Sequence, residues 1–258
     1  MNTALLHTAS PRPGVVELVL NRPEKRNALN IPLLQALCAA IERANGDDTV
    51  RAIVLRASGE TFCAGLDLKE ARDPETSHAS AELIARSLRG LYLSPKLCIA
   101  VVQGTAVAGG AGLVSACDIA LAAMNARFGY PEVRVGMVAL QVSTLLRRQV
   151  GDRHARELLL LGETITAERA EAMGLITRAV PRDVLDETLE VVLAEALQGA
   201  PGAIHATKQF LDELAAPGLE AELRRALELH LAVRQGSEAR EGFQAFVEKR
   251  APSWRRLP

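Results

Sequence analysis

Residues 104–122 read GTAVAGGAGLVSACDIALA. The stretch follows a short apolar run, Leu97 to Val102, passes through adjacent glycines and continues at helical spacing from about Ala111 to Ala116. Another apolar run, 118–123, comes directly after it. Strand, glycine turn, helix and strand in so short a space point to an α/β layer with parallel strands. Glycine at the turn lets the backbone approach a ligand closely and adopt angles that a Cβ forbids. The first N–H groups of the following helix have no partner within it and face the turn, where the helix dipole favours negative charge. A plain packing corner between strand and helix accounts for these residues equally well.

A second turn, FCAGLDLKE at 62–70, repeats the pattern, with Gly65 at a strand exit and Asp67 and Glu70 in the first turn of a helix. Carboxylates there suit capping and dipole compensation. One backbone N–H from each turn can converge on a single carbonyl oxygen. Each such donor is worth about 2.7–4 kcal/mol of transition-state stabilisation.

Outward from these turns, the α/β alternation spans about 190 residues. Val15 to Leu20 reads as a strand ending at Asn21-Arg22-Pro23, and Ile31 to Ala44 as a helix with Pro32 in its first turn. Val50 to Leu55 is a strand, 71–80 a polar mobile loop and Ala81 to Leu93 a helix. Ala155 to Leu161 and Ala167 to Met173 are short helices, the second closed by Gly174, and Ile176 to Val180 is the last strand. From Pro201 the pattern is purely helical: Ala203 to Ala215, Leu219 to Gln235 and Glu238 to Lys249, parted by Pro217-Gly218 and Gly236-Ser237. The expected division is an α/β core over 1–200 and a helical region over 201–258.

Composition narrows the partners. Thirty Lys plus Arg against 31 Asp plus Glu, with only 3% aromatics, exclude a basic nucleic-acid surface and a base-stacking platform. The N-terminal residues lack the basic stretch and apolar core of a secretory signal, and no run of eighteen apolar residues exists. The expectation is a cytoplasmic protein, bound neither to membrane nor to nucleic acid. Its four scattered cysteines (Cys38, Cys63, Cys98, Cys117) are expected to be reduced and buried.

Proton chemistry needs a side chain. Glu132, in FGYPEVRVG, lies between Phe128, Tyr130 and Val133, and an apolar setting raises a carboxyl towards the range useful for acid/base work. The other reading of this segment is a surface glutamate paired with Arg134. The five histidines (His7, His78, His154, His205, His230) form no HxxxH or HExxH pattern, which disfavours a metal site, and none neighbours a glycine turn in the chain. Ser115 and Ser143 lack a GxSxG setting, and GTAVAGGAG is not a GxGxxG dinucleotide turn.

These residues resemble the crotonase superfamily, specifically enoyl-CoA hydratases and isomerases. NRPEKRNALN at 21–30 resembles its opening loop, FCAGLDLKE its first oxyanion loop, and GTAVAGGAGLVSACDIALA its second loop and helix. GLITRAVP at 174–181 and FVEKRAP at 246–252 are similar to later family signatures, so five motifs occur in the family's order. The resemblance implies an α/β spiral of repeated ββα units with a C-terminal helical trimerisation region, giving a homo-oligomer, either a trimer or a dimer of trimers. It implies an acyl-CoA thioester as substrate, with coenzyme A entering as part of that substrate and no permanently bound cofactor or metal. The oxyanion donors would be the N–H groups of Leu66 and Gly109, with Glu132 as the catalytic carboxylate. Coenzyme A would bend across Lys25, Arg26, Ala28, Ala64, Asp67 and Leu68, with Phe246 and Lys249, commonly from a neighbouring subunit, near its adenine and phosphates.

Two departures qualify the resemblance. Typical hydratases carry a first glutamate on the helix after the second glycine turn, where this chain has Gly112, and Pro-Gly-Gly where it has Ala139-Leu140-Gln141. Tyr130 and Gln141 are polar neighbours expected mainly to pack. The expected reaction is reversible hydration of a 2-enoyl-CoA with Glu132 as the single acid/base. Conversion of a 3-enoyl-CoA to a 2-enoyl-CoA stands second, and a catalytically silent protein that binds CoA esters third.

Overall fold

The computed structural model describes residues 4–71, 74–215 and 218–255. Residues 72 and 73 of the expected loop and Pro217 of the expected helix boundary lie outside them. Strands β1 (Leu6–Arg12), β2 (Val15–Leu20), β3 (Ala52–Ala57), β5 (Leu97–Val102), β7 (Ile119–Ala123) and β10 (Arg178–Val180) form one sheet in that order. All neighbours are parallel except β1 and β2, which pair Leu6 with Leu20. Apolar side chains alternate across this sheet. Leu18, Leu20, Ile53, Leu55, Ala100 and Val102 join the main core, while Val15, Val54, Ile99, Val101 and Leu121 join a second cluster on the other face. Burial on both faces is why these strands read as unbroken apolar runs.

Strands β3, β5 and β7 are each followed by a short one that leaves for a second sheet. These are β4 (Thr61–Cys63), β6 (Thr105–Val107) and β8 (Arg127–Gly129), mutually parallel, with β9 (Thr164–Thr166) antiparallel at the edge. The returning segments include α1 (Ile31–Gly46), α2 (Leu68–Ala71), α3 (Pro74–Tyr92), α4 (Gly109–Ser115), α5 (Leu140–Leu161) and α6 (Ala167–Ala172). The repeated ββα turn is therefore present. Both glycine turns sit where a short strand of the second sheet gives way to a helix, which places them side by side.

Several local expectations need correction. Helix α3 begins at Pro74, so most of the expected mobile loop is helical, with a proline suited to a first turn. Helix α5 starts at Leu140 rather than 155; Gly151, at φ 71° and ψ 172°, interrupts its helical angles and hides the first half from a periodicity reading. Helix α7 (Leu185–Ala196) was not expected, yet its Leu185, Leu189 and Leu193 cover the outer face of the first sheet.

Helices α8 (Pro201–Leu214), α9 (Leu219–Arg234) and α10 (Ser237–Val247) follow. Arg148 of α5 binds Glu222 of α9 at 3.0 Å and Asp212 of α8 at 3.4 Å, and lies over the Tyr92 ring of α3 at 5.6 Å. Lys208 of α8 meets Asp118 at 2.7 Å. Helix α10 packs on the single-turn helix Pro131–Val135 so closely that a Cβ added to Gly242 would lie 2.0 Å from the Val135 carbonyl oxygen. Met137, Ala239 and Phe243 seal that junction in a small core of their own. No helix among the described residues is long and apolar enough to cross a membrane.

Candidate active site

A cavity of about 790 Å³ lies between the two glycine turns, the turn carrying Glu132, and helices α3, α5, α9 and α10. Leu66 and Gly109 both line it. Leu29 forms a single parallel bridge to Leu66: its N–H donates to the Gly65 carbonyl at 2.8 Å, and its carbonyl accepts from the Asp67 N–H at 3.0 Å. The residue between those two partners turns its own N–H and C=O to the other side. Gly109 opens α4, so its N–H has no acceptor within the helix.

What holds the two donors together is backbone contact. Gly65 has φ +85°, and a Cβ there would lie 2.7 Å from Ala108 Cβ and 3.5 Å from the Gly109 nitrogen. Ala108 itself adopts φ 51° and ψ −126°, an unfavourable region for a residue with a Cβ. It is held there because its N–H donates to the Gly129 carbonyl at 2.9 Å and its carbonyl accepts from Gly112 N–H at 3.0 Å. Strain concentrated at one residue fixes the direction in which the next N–H points.

Glu132 lines the same cavity. Pro131 starts its turn, and Gly136, at φ 67°, ends it. Glu132 Oε2 is buried and has no hydrogen-bond partner among the described residues. Burial pushes the carboxyl up to about 7, against a smaller opposing pull from its own backbone N–H. Arg134 does not pair with it; the guanidinium donates to the Leu161 carbonyl at 3.3 and 3.4 Å. The surface ion-pair reading of this segment is thereby displaced.

Of the residues expected to contact coenzyme A, Lys25, Arg26, Ala28, Ala64, Asp67, Leu68 and Phe246 line the cavity, and Lys249 does not. Phe246 reaches it from α10 of the same chain. Asn27, fully buried at φ 53°, shapes the loop 22–28. It accepts from Arg22 N–H at 2.8 Å and donates to the carbonyls of Ser58 (2.9 Å) and Thr61 (2.8 Å). Arg22, which the sequence reading did not single out, also lines the cavity and ties the Ala28 carbonyl (3.0 Å) to the Asp67 carboxylate (2.7 Å). Glu70 accepts from the Ile31 N–H at 2.8 Å, so it caps α1 rather than its own helix.

The position of the missing glutamate is filled. A Cβ on Gly112 would lie 2.2 Å from Val142 Cγ1 and 3.5 Å from Leu88 Cδ2. Gly112→Glu should therefore be destabilised by about 1–3 kcal/mol, the usual cost of overpacking, and adding Val142→Ala should recover part of the loss. Thermal melts of both variants check this; a single variant that melts like the parent would show that Val142 gives way freely.

Gln141 and Tyr130 pack as expected. Gln141 Nε2 donates to the Ala81 carbonyl at 3.0 Å while the residue lines the cavity, and the Tyr130 hydroxyl meets Ser115 Oγ at 3.0 Å in the core. His230 is the residue that sequence reasoning missed. It lies far along the chain from the glycine turns, yet α9 brings it into the cavity wall. An apolar stripe on α9, with Leu219, Leu223 and Ala226 buried alongside it, is the signal that could have placed His230 facing inward.

Known proteins resemble this chain along almost its whole length. The family model described as enoyl-CoA hydratase/isomerase matches residues 11–256. Mevalonyl-coenzyme A hydratase of Aspergillus fumigatus is 36% identical over 255 residues, covering 95% of this chain and 93% of that protein. The 2,3-dehydroadipyl-CoA hydratase of Escherichia coli is 33% identical over 242 residues, covering 93% and 95%. A crystal structure of an enoyl-CoA hydratase from Mycobacterium avium superposes with a TM-score of 0.87 at 34% identity, over 98% of this chain and 100% of that one. With its crotonase-type α/β fold and this match along nearly its whole length, the chain belongs to the enoyl-CoA hydratase/isomerase family.

Proposed function

We propose that this protein catalyses the reversible hydration of a 2-enoyl-CoA, with Glu132 as its single acid/base. The carrying observation is one cavity that holds an unpaired buried carboxylate, poised near neutrality, beside two backbone donors at Leu66 and Gly109. In the reaction the thioester oxygen accepts from both N–H groups, which stabilise the enolate charge that develops there. Ionised Glu132 takes a proton from water as its oxygen bonds to C3; the resulting carboxylic acid returns that proton to C2. The two relatives from Aspergillus fumigatus and Escherichia coli, hydratases by name, support this reading.

Isomerisation of a 3-enoyl-CoA is the second reading, and Gly112 favours it. Proton removal at C2 and return at C4 need one carboxylate, whereas hydration also needs a held water. We further propose a homo-oligomer built through the C-terminal helices, as the exposed Phe210, Leu211 and Leu214 of α8 suggest on physical grounds.

The test is to incubate the protein separately with a 2-enoyl-CoA and a 3-enoyl-CoA and identify products by mass and NMR. Water addition supports hydration. Double-bond migration without mass change selects isomerisation, and binding without C2 proton exchange in deuterated water selects a silent protein. Hydration starts from the ionised carboxylate, so kcat/KM should rise with pH through an ionisation near 7. An ordinary glutamate would titrate at about 4.3, and an inflection there would contradict the buried base.

A further inference from the structure

Hydration consumes a water with two O–H bonds. Ionised Glu132 takes one of its protons, and the other stays on the oxygen that joins C3. A second acceptor is needed to hold that water in a single orientation. Gly112 cannot supply one, because it has no side chain and Val142 fills the space beyond it.

Gln141 carries a free acceptor. Its Nε2 donates to the Ala81 carbonyl at 3.0 Å. A carbonyl can only accept, so the amide is fixed with its nitrogen towards Ala81 and Oε1 on the other branch. Among the described residues Oε1 has no hydrogen-bond partner, yet it keeps accessible surface. Gln141 is 5% exposed and lines the cavity, so that surface opens into the cavity.

The surroundings place this amide at the reaction centre. Gln141 lies in the first turn of α5, beside the Val142 that presses on Gly112. Its tether, Ala81, is three residues before Ile84, whose Cδ1 would lie 3.3 Å from a Cβ on Gly109. Helix α5 also packs on the turn Pro131–Val135 that carries Glu132. The amide is therefore held between the second oxyanion turn and the acid/base.

We propose that Gln141 Oε1 forms the subsite for the oxygen at C3, accepting a hydrogen bond from the water before it adds and from the hydroxyl of the product afterwards. This rests on the hydratase reading of the cavity. A neutral amide oxygen is far less basic than a carboxylate, so it accepts the hydrogen bond without taking the proton. Glu132 remains the single base, and Gln141 is a positioning residue.

The experiment uses the full-length protein, 2-enoyl-CoAs of four to eight carbons, and the saturated and 3-hydroxy acyl-CoAs of the best length. In calorimetric titration the parent should bind the 3-hydroxyacyl-CoA about tenfold more tightly than the saturated one, the upper effect of one net hydrogen bond. Gln141→Met, similar in length and without a polar end, should lose that difference. Its hydration kcat should fall about tenfold, while the saturated acyl-CoA binds within a few-fold of the parent. Gln141→Leu should behave alike and replaces the methionine variant if thermal melts show that one unfolded.

A packing defect would weaken both ligands together, so the difference between them isolates the hydrogen bond. A parent that binds the two equally, variants that keep the difference or lose both ligands alike, or hydration at the parental kcat overturns the proposal. Should no 2-enoyl-CoA be hydrated, the hydratase reading fails separately. The binding difference and its loss in Gln141→Met then still support the oxygen subsite, and equal binding overturns it.

Discussion

Replacing Glu132 with glutamine should lower kcat by about 10²–10⁴-fold, the usual contribution of a positioned acid/base, while CoA-ester binding stays within a few-fold of the parent. Glutamine preserves the shape of the side chain and removes its ability to take and return a proton. Gly112 cannot compensate, because it has no side chain and Val142 occupies the space beyond it. Steady-state kinetics and calorimetric titration with a saturated acyl-CoA measure the two quantities separately, and full activity in the variant would refute the assignment. The same substitution has a stability signature of predictable sign. Buried Glu132 holds its proton up to about 7 in the folded chain, against about 4.3 when unfolded. Its contribution to stability is therefore fully present below the lower value and is lost as pH rises through the upper one. At pH 8 Glu132→Gln should melt higher than the parent, and the two should converge near pH 4. A parent that melts higher at pH 8 would mean the carboxylate has a partner that stabilises its charge.

Gly65→Ala should cost about 10²–10³-fold in kcat, comparable to losing one oxyanion donor. The new methyl would lie 2.7 Å from Ala108 Cβ at a backbone φ of +85°, so the first turn must retreat from the second. Leu66 and Gly109 would then no longer converge on one oxygen. Because the donors act on charge that appears in the transition state, kcat should fall much more than substrate affinity. Strain at positive φ should also reduce stability by about 1–2 kcal/mol. Gly46→Ala is the control: nothing lies within 4 Å of its added Cβ and its φ is not positive. That variant should match the parent in rate and be no less stable. A Gly65→Ala enzyme with parental kcat would show that the two turns are not coupled as the contact implies.

The glycine turns are legible in the sequence because their residues do their work locally. Free N–H groups at a helix start, and angles open to glycine, follow from the chain itself. The parallel order of the central strands is readable too, since burial on both faces leaves an unbroken apolar run. Short strands such as Thr61–Cys63 and Thr105–Val107 are not, because three residues carry too little alternation to register against a neighbouring turn. Helix α7 escapes a periodicity reading for a different reason. Its three inward leucines gain meaning only against the sheet face they cover.

Sequence by itself placed two glycine turns at strand-to-helix junctions, a glycine where a first glutamate is typical, and five motifs in the order of one family. Glu132 was a candidate there, with a surface pair to Arg134 as its rival. Tertiary structure removed the rival, because burial of Oε2 and the turning of Arg134 to Leu161 depend on how helices α5 and α10 close over residues 131–135. It also decided that Val142 fills the space beside Gly112 and that His230 lines the cavity. Covalent neighbours set backbone angles and helix ends, whereas desolvation and steric exclusion depend on atoms that only folding brings together.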